Sequence, residues 1–436
     1  MDKVDIGLLS LVATLVLLAL RLPIGIALAL VSFVGIAAIT SVGAAWGIVS
    51  TIPYSFVATW EFSAVPMFLL MGYLAARTDM TGGLFQAMRI LLARVPGSLA
   101  SASVGASALF AAASGSSLAT SAALSKIAVP EMLRAGYDKG LATGTIAASG
   151  TLGSLIPPSI LLVIYGLFTS TPIGPLFMAG FIPGALTAFA FVAMIMLRVW
   201  RNPSIAPKLQ TQFTRAEKIS ALLDIWPLPT LIVGVLGGIF FGVITPTEAG
   251  AVGTALVILI SILRRQFSLK MLAQAAADAA VATSVMFVIA VGASMFVRLM
   301  AFSQLPGFAA DVILGISDNP FVVILLISLI FVFLGMFVDA VGIMLLVLPV
   351  IMPLLDQLDI NMIWFGIITI KLLEIGLITP PVGLNVYVVR TALGNLVSLP
   401  TIFRGAAWFM LTDLVVLLIL VAFPVITLWL PGVMAH

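Results

Sequence analysis

Two stretches decide the fold: Gly150-Thr151-Leu152-Gly153-Ser154-Leu155-Ile156-Pro157-Pro158-Ser159 and Gly376-Leu377-Ile378-Thr379-Pro380-Pro381-Val382-Gly383-Leu384-Asn385. Each places a double proline inside an otherwise apolar segment. A proline lacks the backbone N–H and pushes the residue before it out of the helical region, so the second ring of each pair unseats the first. A helix entering such a stretch unwinds. In water that is harmless, but in hydrocarbon each freed carbonyl or amide costs several kcal/mol unless it faces a cavity or binds something.

The surroundings are those of a membrane protein. Of 436 residues, 62% are hydrophobic and 8% charged, against roughly 25% charged in an average soluble domain. Continuous apolar blocks run over Val4 to Leu20, Pro23 to Ile39, Pro172 to Leu197, Phe321 to Phe337 and Ala407 to Leu430. Each approaches the roughly 20 residues a helix needs to cross a bilayer, and none alternates as a barrel strand would. About ten to twelve spanning or half-spanning segments are expected. Lys3 precedes the first block, but Arg21 and Pro23 follow it and no small-residue cleavage pattern closes it, so it reads as a retained span. There is no cysteine, and the single histidine is His436. Thiol chemistry, zinc clusters and a nucleophile paired with an internal histidine are therefore excluded, as is a P-loop, whose run is absent; the chain reads as a non-enzyme with no organic cofactor. A net charge of +3 gives no reason to expect a nucleic-acid partner.

The sizeable polar segment of the interior, Arg198 to Asp224, carries five basic residues and two prolines, which the positive-inside rule places in the cytoplasm. It divides the chain into a first half, 1–200, a linker, 201–224, and a second half, 225–436. Leu84 to Val95 and Phe267 to Ala280 look like helices lying at the interface, one early in each half. An offset of 223 residues carries Pro130 onto Pro353, Gly153 onto Gly376, Pro157 onto Pro380 and Pro158 onto Pro381. Two related halves joined by a polar linker suit inverted repeats, provided each crosses the membrane an odd number of times.

Each half also contains a run that invites a re-entrant turn, Ser114-Gly115-Ser116-Ser117-Leu118-Ala119-Thr120 in the first and Gly335-Met336-Phe337-Val338-Asp339-Ala340-Val341-Gly342 in the second. Small residues also serve close helix packing, and a lone proline is usually only a kink. A double proline beside glycine, repeated at matching positions, is harder to read that way. Freed carbonyls with hydroxyls suit a monovalent cation and half-helix N-termini suit a carboxylate, so two breaks per half predict two cation sites flanking one anion site. Asp339 is an ionisable group at the edge of an apolar block and is a functional candidate. Lys371 and Glu374 are spaced to meet on one helix face and neutralise each other. Arg390, Lys126 and Arg134 would serve either to attract an anion or to anchor helix ends.

On these motifs, with Pro130-Glu131-Met132 and Gly136-Tyr137-Asp138, the chain resembles the large membrane subunit of tripartite ATP-independent periplasmic (TRAP) transporters over essentially its whole length. The resemblance implies an all-α integral membrane fold with two inverted repeats, each with a re-entrant hairpin and a discontinuous helix, working as an elevator. It implies sodium-driven import of a small organic acid, such as sialic acid or a C4-dicarboxylate, across the bacterial inner membrane. A periplasmic substrate-binding protein and a small four-helix membrane subunit would be the partners. Carried onto this sequence, Ser116, Ser117, Gly153 and Pro157 would line one sodium site, and Gly335, Asp339, Thr379 and Gly383 the other. Thr120, Pro158, Ser159, Pro381 and Asn385 would lie near the substrate. The competing readings are a self-sufficient sodium/dicarboxylate symporter and a passive anion channel or membrane scaffold.

Overall fold

The computed structural model describes residues 2–78, 80–208 and 213–434, so His436 and part of the 201–224 linker lie outside the described residues. All the secondary-structure elements assigned among them are helical. The first half opens with α1 (Lys3–Ala19), α2 (Ile24–Ile39), α3 (Val42–Val57), α4 (Ala64–Arg77) and α5 (Met80–Leu91). A hairpin of α6 (Ser98–Ser114) and α7 (Ser117–Arg134) follows. Next comes a broken helix of α8 (Lys139–Ser149), the single turn α9 (Leu152–Leu155) and α10 (Ile160–Thr169), and then the long α11 (Ile173–Arg201). Beyond the linker, α12 (Arg215–Asp224), α13 (Pro227–Ile232) and α14 (Gly238–Phe240) form one rod interrupted by a π-turn over Val233–Gly237. Then come α15 (Pro246–Leu263), α16 (Leu269–Ser303) and α17 (Leu305–Ile316). The second hairpin is α18 (Pro320–Gly335) with α19 (Ala340–Gln357), and the second broken helix is α20 (Met362–Ile378) with α21 (Leu384–Leu393). α22 (Leu399–Ala422) and α23 (Val425–Met434) complete the described chain.

Among the described residues six helices are long and apolar enough to cross a membrane, and counting bent pairs as single spans gives up to eight. Six shorter apolar helices of 10–17 residues, including α6, α18 and α21, accompany them. The distribution of polarity is that of a protein solvated by lipid. Leu9, Phe189, Leu329 and Phe333 are exposed while Ser101, Ser103, Ser107, Ser121, Thr143 and Thr145 are buried. The buried hydroxyls of Ser103, Ser125 and Thr145 donate one turn back, to the carbonyls of Leu99, Ser121 and Leu141 at 2.8, 2.6 and 2.7 Å. Bonded in this way these three keep the helix surface small, so that backbones approach closely, whereas the Ser101 and Ser121 hydroxyls have no hydrogen-bond partner among the described residues.

The 223-residue offset extends well beyond the prolines that suggested it. It carries α7 onto Ala340–Gln357, which is α19, and brings α6, α10 and α11 nearly onto α18, α21 and α22. The one departure from the sequence reading concerns the second interfacial stretch. Residues 267–280 are not a separate element; most of them form the opening turns of α16, a single helix of 35 residues. Its alanine-rich start contains no glycine or proline to stop it, and the helix runs on until Gln304 adopts a left-handed φ of 58° and Pro306 opens the next. The repeat mate of α5 by the same offset is instead the short α17.

Two groups of helices emerge from the packing. In one, α16 packs against α2, α3 and α4, and α15 against α4. In the other, the two hairpins and two broken helices assemble with α11 and α22, chiefly through α22 on α8, α18 on α20 and α21 on α7.

Candidate functional site

The tips of the hairpins are built alike and charged differently. Between α6 and α7, Gly115 takes a left-handed φ of 59°, which a side chain would strain, and a Cβ there would lie 2.8 Å from the carbonyl oxygen of Pro158. Ser116 caps α7, its Oγ accepting from the Ala119 N–H at 3.4 Å. Thr120 closes the turn, its Oγ1 donating to the Ser116 carbonyl at 2.9 Å and lying 2.8 Å from Ser114 Oγ. The repeat offset carries Ser116 onto Asp339, which caps α19 by accepting from the Gly342 N–H at 3.1 Å. One tip is therefore neutral and the other bears a carboxylate.

Both tips dock on the breaks. The Ile160 N–H donates to the Gly115 carbonyl and the Val382 N–H to the Met336 carbonyl, each at 3.3 Å. Repeat-related glycines permit these contacts: a Cβ on Gly153 would stand 2.6 Å from the Ser116 carbonyl oxygen, and one on Gly376 would stand 2.7 Å from the Gly335 Cα. Ser159 caps α10 through the Leu162 N–H at 3.3 Å and donates its hydroxyl to the Ser154 carbonyl. Thr379 Oγ1 donates to the Ile375 carbonyl at 2.6 Å, and Gly383 at the start of α21 has φ 56°. The breaks are not equivalent, since Pro157 and Pro158 are buried whereas Pro380 and Pro381 are exposed. Asn385 joins the halves, its Nδ2 donating to the Ala147 carbonyl at 3.2 Å while its buried Oδ1 has no partner among the described residues.

A cavity of about 450 Å³ lies where these pieces meet. Four helices begin in its wall: α7 with Ser117, α10 with Ile160, α19 with Ala340 and α21 with Leu384. A helix N-terminus carries roughly half a positive charge; here Ser116, Ser159 and Asp339 each take one first-turn N–H, the Ile160 N–H goes to Gly115, and the Asp339 carboxylate offsets the positive end of α19. No lysine or arginine is among the described lining residues, so the attraction this cavity offers an anion comes from backbone. The opposite wall is apolar, Ala282, Val285, Met286 and Ile289 of α16 with Leu69 and Tyr73 of α4. Of the residues expected at the site, Ser116, Ser117 and Asp339 line the cavity. Gly153 and Gly335 stand behind the tips, and the ring of Pro157 faces α11, 3.5 Å from where a Cβ of Gly180 would be. Thr120, Pro158, Ser159, Pro381 and Asn385 shape the tips and breaks and are not among the lining residues.

The cationic candidates are elsewhere. Arg134 pairs with Glu131 at 3.1 Å, and Arg390 bonds the Asn395 side chain at 3.0 Å. Lys371 and Glu374 do meet, at 3.2 Å, fully buried. Sequence reasoning missed their third member, Asp413 of α22, whose Oδ1 lies 2.6 Å from the Lys371 ammonium. An acidic residue in the span Ala407 to Leu430 was the available signal.

The family described as "Tripartite ATP-independent periplasmic transporter, DctM component" matches residues 11–426. The chain is 35% identical over 370 residues to the sialic acid TRAP transporter large permease protein SiaM of Vibrio cholerae, covering 84% of this chain and 85% of that protein. It is 33% identical over 370 residues to the C4-dicarboxylate TRAP transporter large permease protein DctM of Pseudomonas aeruginosa, covering 85% and 86%. With the sialic acid TRAP transporter permease protein SiaT of Haemophilus influenzae the identity is 34% over 374 residues, and the match spans 60% of that longer protein. Among solved structures the YdaH transporter of Alcanivorax borkumensis shares the fold, with a TM-score of 0.59 at 16% identity over 87% of this chain and 89% of that one.

Proposed function

Because the chain belongs to the DctM component family of TRAP transporters, multi-pass proteins of the inner membrane, we propose that it is the large permease subunit of a sodium-driven importer of a small organic acid. The observation that carries this reading is the convergence of four helix N-termini on one cavity whose described lining holds no cationic side chain. Such a wall attracts a carboxylate without an arginine, and a carboxylate seated there offers negative charge to cations bound at the tips. One sodium ion would sit with Ser116, Ser117, Gly153 and Pro157, and a second with Gly335, Asp339, Thr379 and Gly383. The substrate would lie between them, reached by Thr120, Pro158, Ser159, Pro381 and Asn385 as the tips move.

The two packing groups supply the parts of an elevator: the hairpins and broken helices carry the site, and α2, α4, α15 and α16 form the wall it slides along. The boundaries at 1–200, 201–224 and 225–436 would then separate two inverted repeats and a cytoplasmic linker. A small membrane subunit would enlarge the wall and a periplasmic binding protein would deliver the acid. Sialic acid and C4-dicarboxylates, named for the relatives, are the first substrates to try.

Reconstitution in liposomes tests this. Uptake is expected only when the chain, its small subunit and the substrate-loaded binding protein are present with an inward sodium gradient. Uptake by the chain alone would make it a self-sufficient symporter, and uptake undiminished when potassium replaces sodium would make it a channel.

A further inference from the structure

The Lys371, Glu374 and Asp413 side chains are fully buried between α20 and α22, and the proposed sodium and substrate sites do not use them. The single ammonium contacts two carboxylates, Asp413 Oδ1 at 2.6 Å and Glu374 Oε2 at 3.2 Å. With all three ionised, the cluster carries one net negative charge in a segment long and apolar enough to span the bilayer. The other groups on the packed helices do not cancel it. α11 presents the Phe191 ring, 5.9 Å from the ammonium, and its Arg198 stacks over Trp408 instead. α10 offers Tyr165, whose hydroxyl donates to the Met362 carbonyl at the far end of α20. On α21, Tyr387 is exposed and Arg390 is engaged by Asn395. On α19 and α22 the remaining ionisable groups, Asp356 and Arg404, stand near the helix ends; α8, which packs on α22, contributes only the exposed Lys139 at its first position, and α9, α18 and α23 contain none.

The geometry points to what balances the charge. Glu374 Oε1 and Asp413 Oδ2 are buried and have no hydrogen-bond partner among the described residues. An uncompensated buried charge with an unsatisfied oxygen is among the costliest arrangements a fold can hold. A metal cation is a poor remedy, because the ammonium already stands between the carboxylates and would repel it. A proton needs one oxygen and no coordination shell. We propose that the cluster is a proton-binding site, with the proton held by the Glu374 carboxyl and Asp413 as the ionised partner of Lys371. Asp413 has the shorter contact to the ammonium, so its charge is the better compensated. A neutral cluster also lets the helices around it stay in hydrocarbon with no net charge at their centre.

Infrared spectroscopy and thermal unfolding of the full-length protein in lipid nanodiscs test the assignment. At neutral pH the wild type is expected to show the carbonyl band of a protonated carboxylic acid that shifts on deuteration. Glu374→Gln, an isostere of the protonated side chain, should lose that band and melt within about 2 °C of wild type. A second variant locates the proton: Asp413→Asn removes the carboxylate with the shorter contact to the ammonium and should melt well below Glu374→Gln. The proposal is overturned if no band is lost in Glu374→Gln, if that variant fails to fold, or if Asp413→Asn melts at or above Glu374→Gln. It is equally overturned if Glu374→Gln removes a stabilisation that sodium chloride gives the wild type and choline chloride does not, since a sodium ion would then be the occupant.

Discussion

The repeat puts serine at one helix cap and aspartate at the other, and this difference between Ser116 and Asp339 is where the two halves part chemically. Both side chains accept a backbone N–H in the first turn of the helix they cap, so capping alone does not require a charge. Asparagine caps a helix about as well as aspartate. Asp339→Asn is therefore expected to leave the melting temperature nearly unchanged, a loss of no more than about 0.5 kcal/mol. On the proposed mechanism it should nevertheless lower sodium-dependent uptake tenfold or more, because the second cation site loses its carboxylate. Paired measurements of unfolding and uptake decide the matter, and normal sodium dependence would leave Asp339 as a cap only. Asp339 was legible in the sequence because a lone acid beside an apolar block stands out. Asp413 was not linked to Lys371, since the partners lie on different helices and no local spacing announces the pair.

At the level of helices, the breaks were readable because proline acts through the chain itself, whereas the docking of tips on breaks depends on distant segments. Leucine-rich helices announce only their length; the pair Gly335 and Gly376, 41 positions apart in the chain, becomes meaningful only when the backbones are seen to touch. That residues 267–280 do not form a helix of their own was hidden for a related reason. One lysine in an alanine-rich run interrupts hydropathy without interrupting a helix, and α16 continues through it. The first break bends the chain by 42° between Lys139–Leu155 and Ile160–Thr169. Replacing Pro157 and Pro158 together by alanine removes the obstacle to continuous hydrogen bonding, each proline costing a helix interior about 3 kcal/mol. The double variant is expected to keep or raise its melting temperature while uptake falls tenfold or more, because straightening withdraws the α10 N-terminus from the cavity. Uptake at the wild-type level with restored stability would show that the unwound segment is not needed for transport.

Across the whole molecule the cavity is shared between the two packing groups, with α7, α10, α19 and α21 on one side and α4 and α16 on the other. If the group bearing the hairpins slides as proposed, contacts across the cavity must break in every cycle while contacts within the group persist. The chain has no cysteine, so an introduced pair is the sole target of a thiol reagent on this subunit. Leu118 begins the exposed side of α7 and Val285 lies on the facing wall of α16, both lining the cavity. Leu118→Cys with Val285→Cys, joined by a short bifunctional maleimide, is expected to stop uptake, to at most one tenth of the untreated rate. Leu118→Cys with Leu161→Cys places both thiols on the moving side, on α7 and α10, and should tolerate the same reagent within about twofold. These thresholds correspond to about 1.4 and 0.4 kcal/mol on a rate barrier, a separation that liposome uptake resolves. Substrate still bound by the arrested Leu118/Val285 protein would place the block in the motion rather than in the site. Undiminished uptake after verified cross-linking of that pair would mean that the hairpins and α16 keep their relation throughout the cycle, and transport would then have to proceed by opening and closing of the tips alone.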